Sequence, residues 1–283
     1  MAINHMMVVG SGQMGSGIAQ VCAQSGYHVY LYDANKNALD KGMEGVRKRL
    51  TKAVEKTRIS EHEKQNTMDL LQPVTDIDSV RECDLAIEAI VENLDAKTSL
   101  FNELDARAPD HAILATNTSS LPITEMAAAT NRPEQFIGMH FMNPVPVMKL
   151  VEVIRGLQTS DATYQAVEAM ATDLSKSPVE VDDAPAFAAN RILMPMINEA
   201  IFAVHEGVAS VEDVDTVMTL GMNHPMGPMT LADFIGLDTC LYIMEVLYDG
   251  YNDSKYRPCP LLKKYVHAGW LGKKAGRGFY QYD

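Results

Sequence analysis

Over residues 1–184, short apolar runs alternate with helix-length segments, the pattern of a parallel sheet covered by helices. The runs fall at residues 6–9, 28–32, 84–91, 112–116 and 136–140, and the spacing predicts helices at 14–25, 35–56 and 94–108. A further run at 150–154 follows a loop holding Pro144 and Pro146. That loop is too short for a crossover helix, so the sheet is expected to end in a locally antiparallel pair. After a last short run at 179–181, the polar stretch Asp182-Asp183-Ala184 ends in Pro185 and reads as a joint. Beyond it the pattern is helical, at 187–206, 211–220, 229–248 and 260–267, with only a short tail strand near Phe279. Two domains are expected: residues 1–184, α/β, and residues 185–283, smaller and all-helical.

Composition narrows the function classes. With 283 residues, 47 % of them apolar and 22 % charged, the chain should bury a sizeable core. Its formal charge of −13 repels phosphate backbones and anionic membranes, so neither nucleic acid nor a membrane is an expected partner. No apolar stretch reaches bilayer length and the first basic residue is Lys36, so no presequence is expected and the chain reads as cytoplasmic. Cys22, Cys83, Cys240 and Cys259 lack CxxC spacing or a nearby histidine pair. Reduced thiols and no metal site are the expectation.

Gly10-Ser11-Gly12-Gln13-Met14-Gly15 follows the first run and opens the first helix. In such a turn Gly10 permits the tight bend, Gly12 lets backbone approach a pyrophosphate, and Gly15 lets helix and strand pack closely. With no basic residue before Lys36, phosphate binding would rest on helix N-terminal amides and the dipole. Asp33, 23 residues past Gly10, stands where a carboxylate accepts hydrogen bonds from ribose hydroxyls and repels a 2′-phosphate, which favours NAD over NADP. The other reading of Asp33 is a helix N-cap.

Candidate chemistry gathers at the same sheet edge. His140 closes the fifth run, and Glu152 lies 12 residues later in an apolar strand. If the chain reverses near Pro146, the two face one another, and a carboxylate would fix the tautomer of an imidazole that accepts a hydroxyl proton. A buried structural ion pair fits the spacing equally well. Ala115-Thr116-Asn117-Thr118-Ser119-Ser120 end the fourth run, and the small hydrogen-bonding side chains there either line a site or cap the next helix. Asn190 lies in the first helix after the joint, where composition alone assigns it nothing. Between residues 41 and 58 stand seven basic residues, Lys41, Arg47, Lys48, Arg49, Lys52, Lys56 and Arg58. Lys48, Lys52 and Lys56 share a helix face, either a solvated face or a handle for a phosphate-bearing substrate. A dehydrogenase of free hydroxy acids, or an NAD-binding protein without turnover, remains open on these motifs.

Together these motifs resemble the short-chain 3-hydroxyacyl-CoA dehydrogenase family, in particular its bacterial 3-hydroxybutyryl-CoA members, over essentially the whole chain. The resemblance is carried by the glycine turn, Glu88-Ala89-Ile90-Val91-Glu92-Asn93, Asn117-Thr118-Ser119-Ser120, residues 138–152, Asn190-Arg191, Asn223-His224-Pro225-Met226-Gly227-Pro228, residues 233–238, and Lys274-Ala275-Gly276-Arg277-Gly278-Phe279-Tyr280. It implies a Rossmann-type doubly wound, mostly parallel sheet and a helical domain that closes over substrate and forms a homodimer. The implied activity is reversible NAD-dependent oxidation of an (S)-3-hydroxyacyl-CoA, above all 3-hydroxybutyryl-CoA, to the 3-ketoacyl-CoA, in fatty-acid or butyrate metabolism. It implies His140 as catalytic base, Glu152 as its partner, and Ser119 and Asn190 as hydrogen bonders to the substrate oxygen. The cofactor pattern falls on Gly10, Gly12, Gln13, Met14, Gly15, Asp33, Glu92, Lys97, Asn117 and Asn143, and Lys52 and Lys56 lie toward the CoA phosphates. The family usually has glycine where this chain has Ala186, which restricts the joint's backbone.

Overall fold

A computed structural model describes residues 3–282, which divide into two compact units between Asp183 and Ala184. In chain order the first unit runs β1 (His5–Val9), α1 (Gln13–Gln24), β2 (His28–Tyr32), α2 (Lys36–Glu55), α3 (Glu61–Leu70), β3 (Leu71–Val74), β4 (Leu85–Glu88), α4 (Leu94–Asp105), β5 (Ile113–Thr116), α5 (Ile123–Ala128), β6 (Phe136–Phe141), β7 (Leu150–Arg155), α6 (Asp161–Asp173) and β8 (Ser177–Asp182). The strands form one sheet in the order β3-β2-β1-β4-β5-β6-β7-β8. Every adjacent pair is parallel except β6 and β7, which are antiparallel.

The order reverses direction between β1 and β4, which opens a crevice at their carboxyl ends, the ligand position of open α/β sheets. The central strands are buried on both faces, as their unbroken apolar runs require. On one face Met6, Val8, Leu31, Ile87, Ala115, Ile137 and Val153 share a core with Ile18 of α1, Val46 of α2 and Val167 of α6. Phe101 of α4 packs edge-on against Phe136 of β6, with ring centroids 4.6 Å apart.

The structure differs from the sequence reading at four places. The fourth strand, expected over residues 84–91, ends at Glu88, where the Ile90 amide donates to the Glu88 carboxylate at 2.6 Å and not to a neighbouring strand as the chain leaves the sheet. The α3–β3 unit was not expected: β3 is a short edge strand interrupted by Gln72 and Pro73, and α3 has an almost entirely solvent-facing sequence. The second unit has α7 (Ala189–His205), α8 (Val211–Thr216), α9 (Pro228–Ile235), α10 (Leu237–Tyr251) and α11 (Pro260–His267). The helix expected over 229–248 is broken by Gly236 at φ +104°, and the tail near Phe279 makes only isolated bridges.

The joint is held at both ends. Asp183 accepts the Ile123 and Thr124 amides at 3.1 and 2.7 Å, so it caps α5 from 59 residues away, in place of a local cap. Pro185 packs so tightly on Gly250 of α10 that a Cβ there would lie 2.6 Å from its ring. The Phe187 amide donates to the Ala184 carbonyl at 2.9 Å, closing a turn with proline second and a positive-φ residue third, the pattern of a type II turn. That third residue is Ala186 at φ +60°, followed by Phe187 at φ +56°, both in the left-handed region that favours glycine. Their burial in the fold holds them there. Asp183→Ala leaves two helix amides without their acceptor and should cost about 1–2 kcal/mol. Urea unfolding checks this, and an unchanged midpoint would contradict the capping role.

Candidate active site

The glycine turn sits at the crevice between β1 and β4. Gly10 adopts φ +102° and donates its amide to the Tyr32 carbonyl at 2.8 Å, which fixes the bend off β1. A Cβ on Gly15 would stand 1.7 Å from the Gly10 carbonyl oxygen, so helix and turn can meet only at glycine. At Gly12 a Cβ would meet no protein atom within 4 Å; the cradle is open there, and no side chain caps the N-terminus of α1. Backbone amides facing an open, basic-free cradle suit a pyrophosphate.

Asp33 stands beside the glycine turn. Its Oδ2 accepts the Ser11 amide at 3.0 Å and the Ser11 hydroxyl at 2.6 Å, and its Oδ1 accepts the Asn35 amide at 2.9 Å. Partial burial pushes this carboxyl up, but the Ser11 and Asn35 hydrogen bonds outweigh it and hold it below the usual carboxylate range. The cap of α2 is Asn35, through Asn37 and Ala38, so the N-cap reading of Asp33 fails. A carboxylate accepts about four hydrogen bonds, so lone-pair capacity is left for ribose hydroxyls.

His140 and Glu152 are direct partners in the β6–β7 register. Their side chains meet as Nδ1···Oε2 at 2.8 Å, with the residues 7 % and 2 % exposed. A carboxylate in its ionised form only accepts, so with such a partner Nδ1 is the donor of this hydrogen bond and Nε2 is the nitrogen with a lone pair. Asn117, at the end of β5, accepts the Phe141 amide at 2.9 Å and ties the neighbouring strand end to the histidine's strand. Gln13 donates to Asn143 Oδ1 at 2.9 Å, which links the glycine turn to the loop after β6. Met14, beside Gln13, packs partly into the core.

Glu92 organises the third wall. Its Oε1 accepts the Thr118 hydroxyl at 2.6 Å, the Ser119 amide at 2.9 Å, and the Ser119 and Ser120 hydroxyls at 3.2 Å each. The 118–120 cluster thus serves Glu92, whereas α5 is capped by Asp183. Burial pushes the Glu92 carboxyl up, but the Lys97 charge with the Thr118 and Ser119 hydrogen bonds holds it below its usual range. Lys97 itself is 1 % exposed, with Nζ 2.6 Å from Glu88 and 3.2 Å from Glu92, and so stands behind Glu92 rather than at the surface of the crevice.

The remaining candidates belong to other elements. Asn190 is in the first turn of α7 in the second unit. Lys52 on α2 and Lys56 at its C-cap are exposed and, among the described residues, have no ion-pair partner, while Arg47 and Lys48 pair with Glu44. Lys52 joins Lys48, Arg47, Thr51, Glu44 and Glu55 in a shallow groove. Arg49 departs from the surface reading: it turns inward to Gln20 and Ser16 of α1, at 2.7 and 3.1 Å. Sequence reasoning gave Ser11 and Glu88 no role of their own, although a carboxylate closing an apolar strand is a signal for Glu88. Burial pushes the Cys22, Cys83 and Cys240 thiols up to about 12, so at neutral pH they carry no thiolate for covalent chemistry.

Gly15→Ala forces the Gly10 carbonyl out of the turn and should weaken NADH binding at least about tenfold with the fold retained. Fluorescence titration of NADH checks this, and unchanged affinity would remove the turn from the cofactor site.

Comparison with known proteins agrees with this geometry. Residues 5–184 match "3-hydroxyacyl-CoA dehydrogenase, NAD binding domain", and residues 187–282 match "3-hydroxyacyl-CoA dehydrogenase, C-terminal domain". The chain is 59 % identical to a probable 3-hydroxybutyryl-CoA dehydrogenase of Bacillus subtilis, over 100 % of this chain and 99 % of that protein. It is 52 % identical to the 3-hydroxybutyryl-CoA dehydrogenase of Bradyrhizobium diazoefficiens, over 99 % and 96 % of the two chains. The crystal structure of (S)-3-hydroxybutyryl-CoA dehydrogenase PaaH1 from Ralstonia eutropha superposes over all of both chains with a TM-score of 0.98, at 48 % identity. With an open glycine turn, a carboxylate beside it and a histidine–glutamate pair on one sheet edge, and these matches along its length, the chain belongs to the 3-hydroxyacyl-CoA dehydrogenase family.

Proposed function

We propose that this chain is an NAD-dependent (S)-3-hydroxybutyryl-CoA dehydrogenase that interconverts 3-hydroxybutyryl-CoA and acetoacetyl-CoA. The observation that carries the reaction is the 2.8 Å His140–Glu152 pair at the carboxyl edge of the sheet, in the same unit as the phosphate cradle. NAD, when bound, accepts the hydride that leaves C3. In oxidation His140 Nε2 takes the C3 hydroxyl proton as the C–H pair departs, and the C–O bond becomes a carbonyl. Glu152 holds the ring in the tautomer that can do this and stabilises the imidazolium that results. In reduction the same imidazolium returns the proton to the carbonyl oxygen. Ser119, held through its amide by Glu92, and Asn190 are assigned to the reacting oxygen by family likeness, so that fixed donors rather than mobile water meet its charge.

The substrate's CoA portion accounts for the basic helix. Lys52 lies about 24 Å along α2 from Lys36, at 1.5 Å per residue, too far along the helix to serve the ribose beside Asp33. An unpaired ammonium there suits the phosphates of an extended CoA. The second unit exposes Leu220, Met222, Phe234, Ile192 and Val208, apolar surface that a second copy of the chain would cover in a homodimer. No helix among the described residues is long and apolar enough to cross a membrane. The cytoplasm, in fatty-acid or butyrate metabolism, is the setting we assign.

His140→Gln should lower turnover of acetoacetyl-CoA with NADH by about 10²–10⁴-fold while NADH binding stays near wild type. Near-normal turnover would reject the assignment. Lys52→Glu with Lys56→Glu should raise KM for acetoacetyl-CoA about tenfold, at low salt, and leave KM for NADH unchanged. Equal KM values for both substrates before and after the change would detach the helix from CoA.

A further inference from the structure

Glu88 ends β4 and is fully buried, opposite Val9 of β1 and Thr116 of β5 in the sheet register. Three donors converge on it: the Ile90 amide at 2.6 Å, Lys97 Nζ at 2.6 Å and the Thr116 hydroxyl at 2.6 Å. Its Oε1 takes the first two and its Oε2 the third. Both oxygens lead to the same loop by different routes. Through Lys97 the path runs to Glu92 and on to the Ser119 amide. Through Thr116 it runs to the Thr118 amide, which donates to the Thr116 hydroxyl at 3.2 Å.

We infer that Glu88 is a positioning residue for the reaction, which by anchoring Lys97 from beneath keeps Glu92 and Ser119 in their working places. The inference rests on the reaction proposed above and adds a residue that touches neither cofactor nor substrate. Lys97 is shared between two carboxylates, and it lies nearer the fully buried one. The ammonium is therefore fixed at the floor of the site, while Glu92, its side chain 27 % exposed, stays outermost with one oxygen free to gather Thr118 and Ser119. Without the Glu88 charge the buried ammonium has Glu92 as its sole counter-charge and draws that carboxylate inward. The Ser119 amide, 2.9 Å from Glu92, loses its acceptor, and the Thr116 route to the loop slackens at once. A pair kept for stability alone could be replaced by apolar side chains at little loss, so the kinetic effect separates the two roles.

The test is Glu88→Gln, which keeps shape and removes charge, with Glu88→Asp, which keeps charge on a shorter arm. NADH affinity should fall at least fivefold and kcat at least tenfold in Glu88→Gln, with KM for acetoacetyl-CoA changed less than threefold. Glu88→Asp should recover part of both losses. Thermal midpoints are measured alongside. A Glu88→Gln protein with a lowered midpoint but wild-type kcat and NADH affinity would overturn the inference. Should Glu88→Gln not fold, Glu88→Asp decides: at least a threefold loss in kcat supports the role, and wild-type values overturn it. A wild-type enzyme that bound NADH without reducing acetoacetyl-CoA would overturn the proposed reaction instead, and the NADH affinities of the variants would still decide the role of Glu88.

Discussion

Two residues on consecutive strands can face each other directly only where the chain folds straight back. In a parallel sheet the connection must cross over, and the next strand begins at the far edge. This fold is parallel from β3 to β6 and then turns back once, at β6–β7. That single reversal sets His140 opposite Glu152 at the edge where the glycine turn also lies. The hydrogen bond between them determines which ring nitrogen carries the hydrogen, and so which one can act on the substrate's proton. The cradle and the walls lend that nitrogen a purpose, but none of them supplies it.

The surroundings hold the strand ends in place. Asn117 ties β5 to β6, Gln13 ties the turn to the loop after β6, and Lys176 donates to the Val145 and Met148 carbonyls at 2.6 and 2.8 Å inside the reversal. A Cβ on Gly17 of α1 would press on Val145 at 3.0 Å, so the reversal also rests closely on the first helix. The third wall is electrostatic. One buried ammonium between two carboxylates keeps Glu92 ionised in spite of its burial, as an acceptor for the Ser119 loop must be.

Much of this was legible in the sequence, because the signals were local. A glycine turn after an apolar run, an acid at the end of the second strand, and two residues symmetric about a proline-containing loop each imply one geometry. The α3–β3 unit was not legible, since an edge strand with Pro73 and a polar helix leave no periodic trace. The direction of long side chains was also hidden. Arg49 sits in a basic run that reads as solvated, yet it turns onto α1, and Lys97 reads as a ligand contact yet is enclosed by carboxylates that sequence spacing does not show to be neighbours. At Ala186 the sequence announced a departure, and the structure shows what it means: an alanine in a left-handed position held by burial.

Nitrogen NMR of the histidine-labelled protein at neutral pH reads the central claim directly. The account predicts that His140 is the Nδ1–H tautomer with an unprotonated Nε2, and that Glu152→Gln disturbs this preference. A His140 ring found as the Nε2–H tautomer in the wild-type protein would contradict it, because the nitrogen that must take the substrate's proton would already carry one.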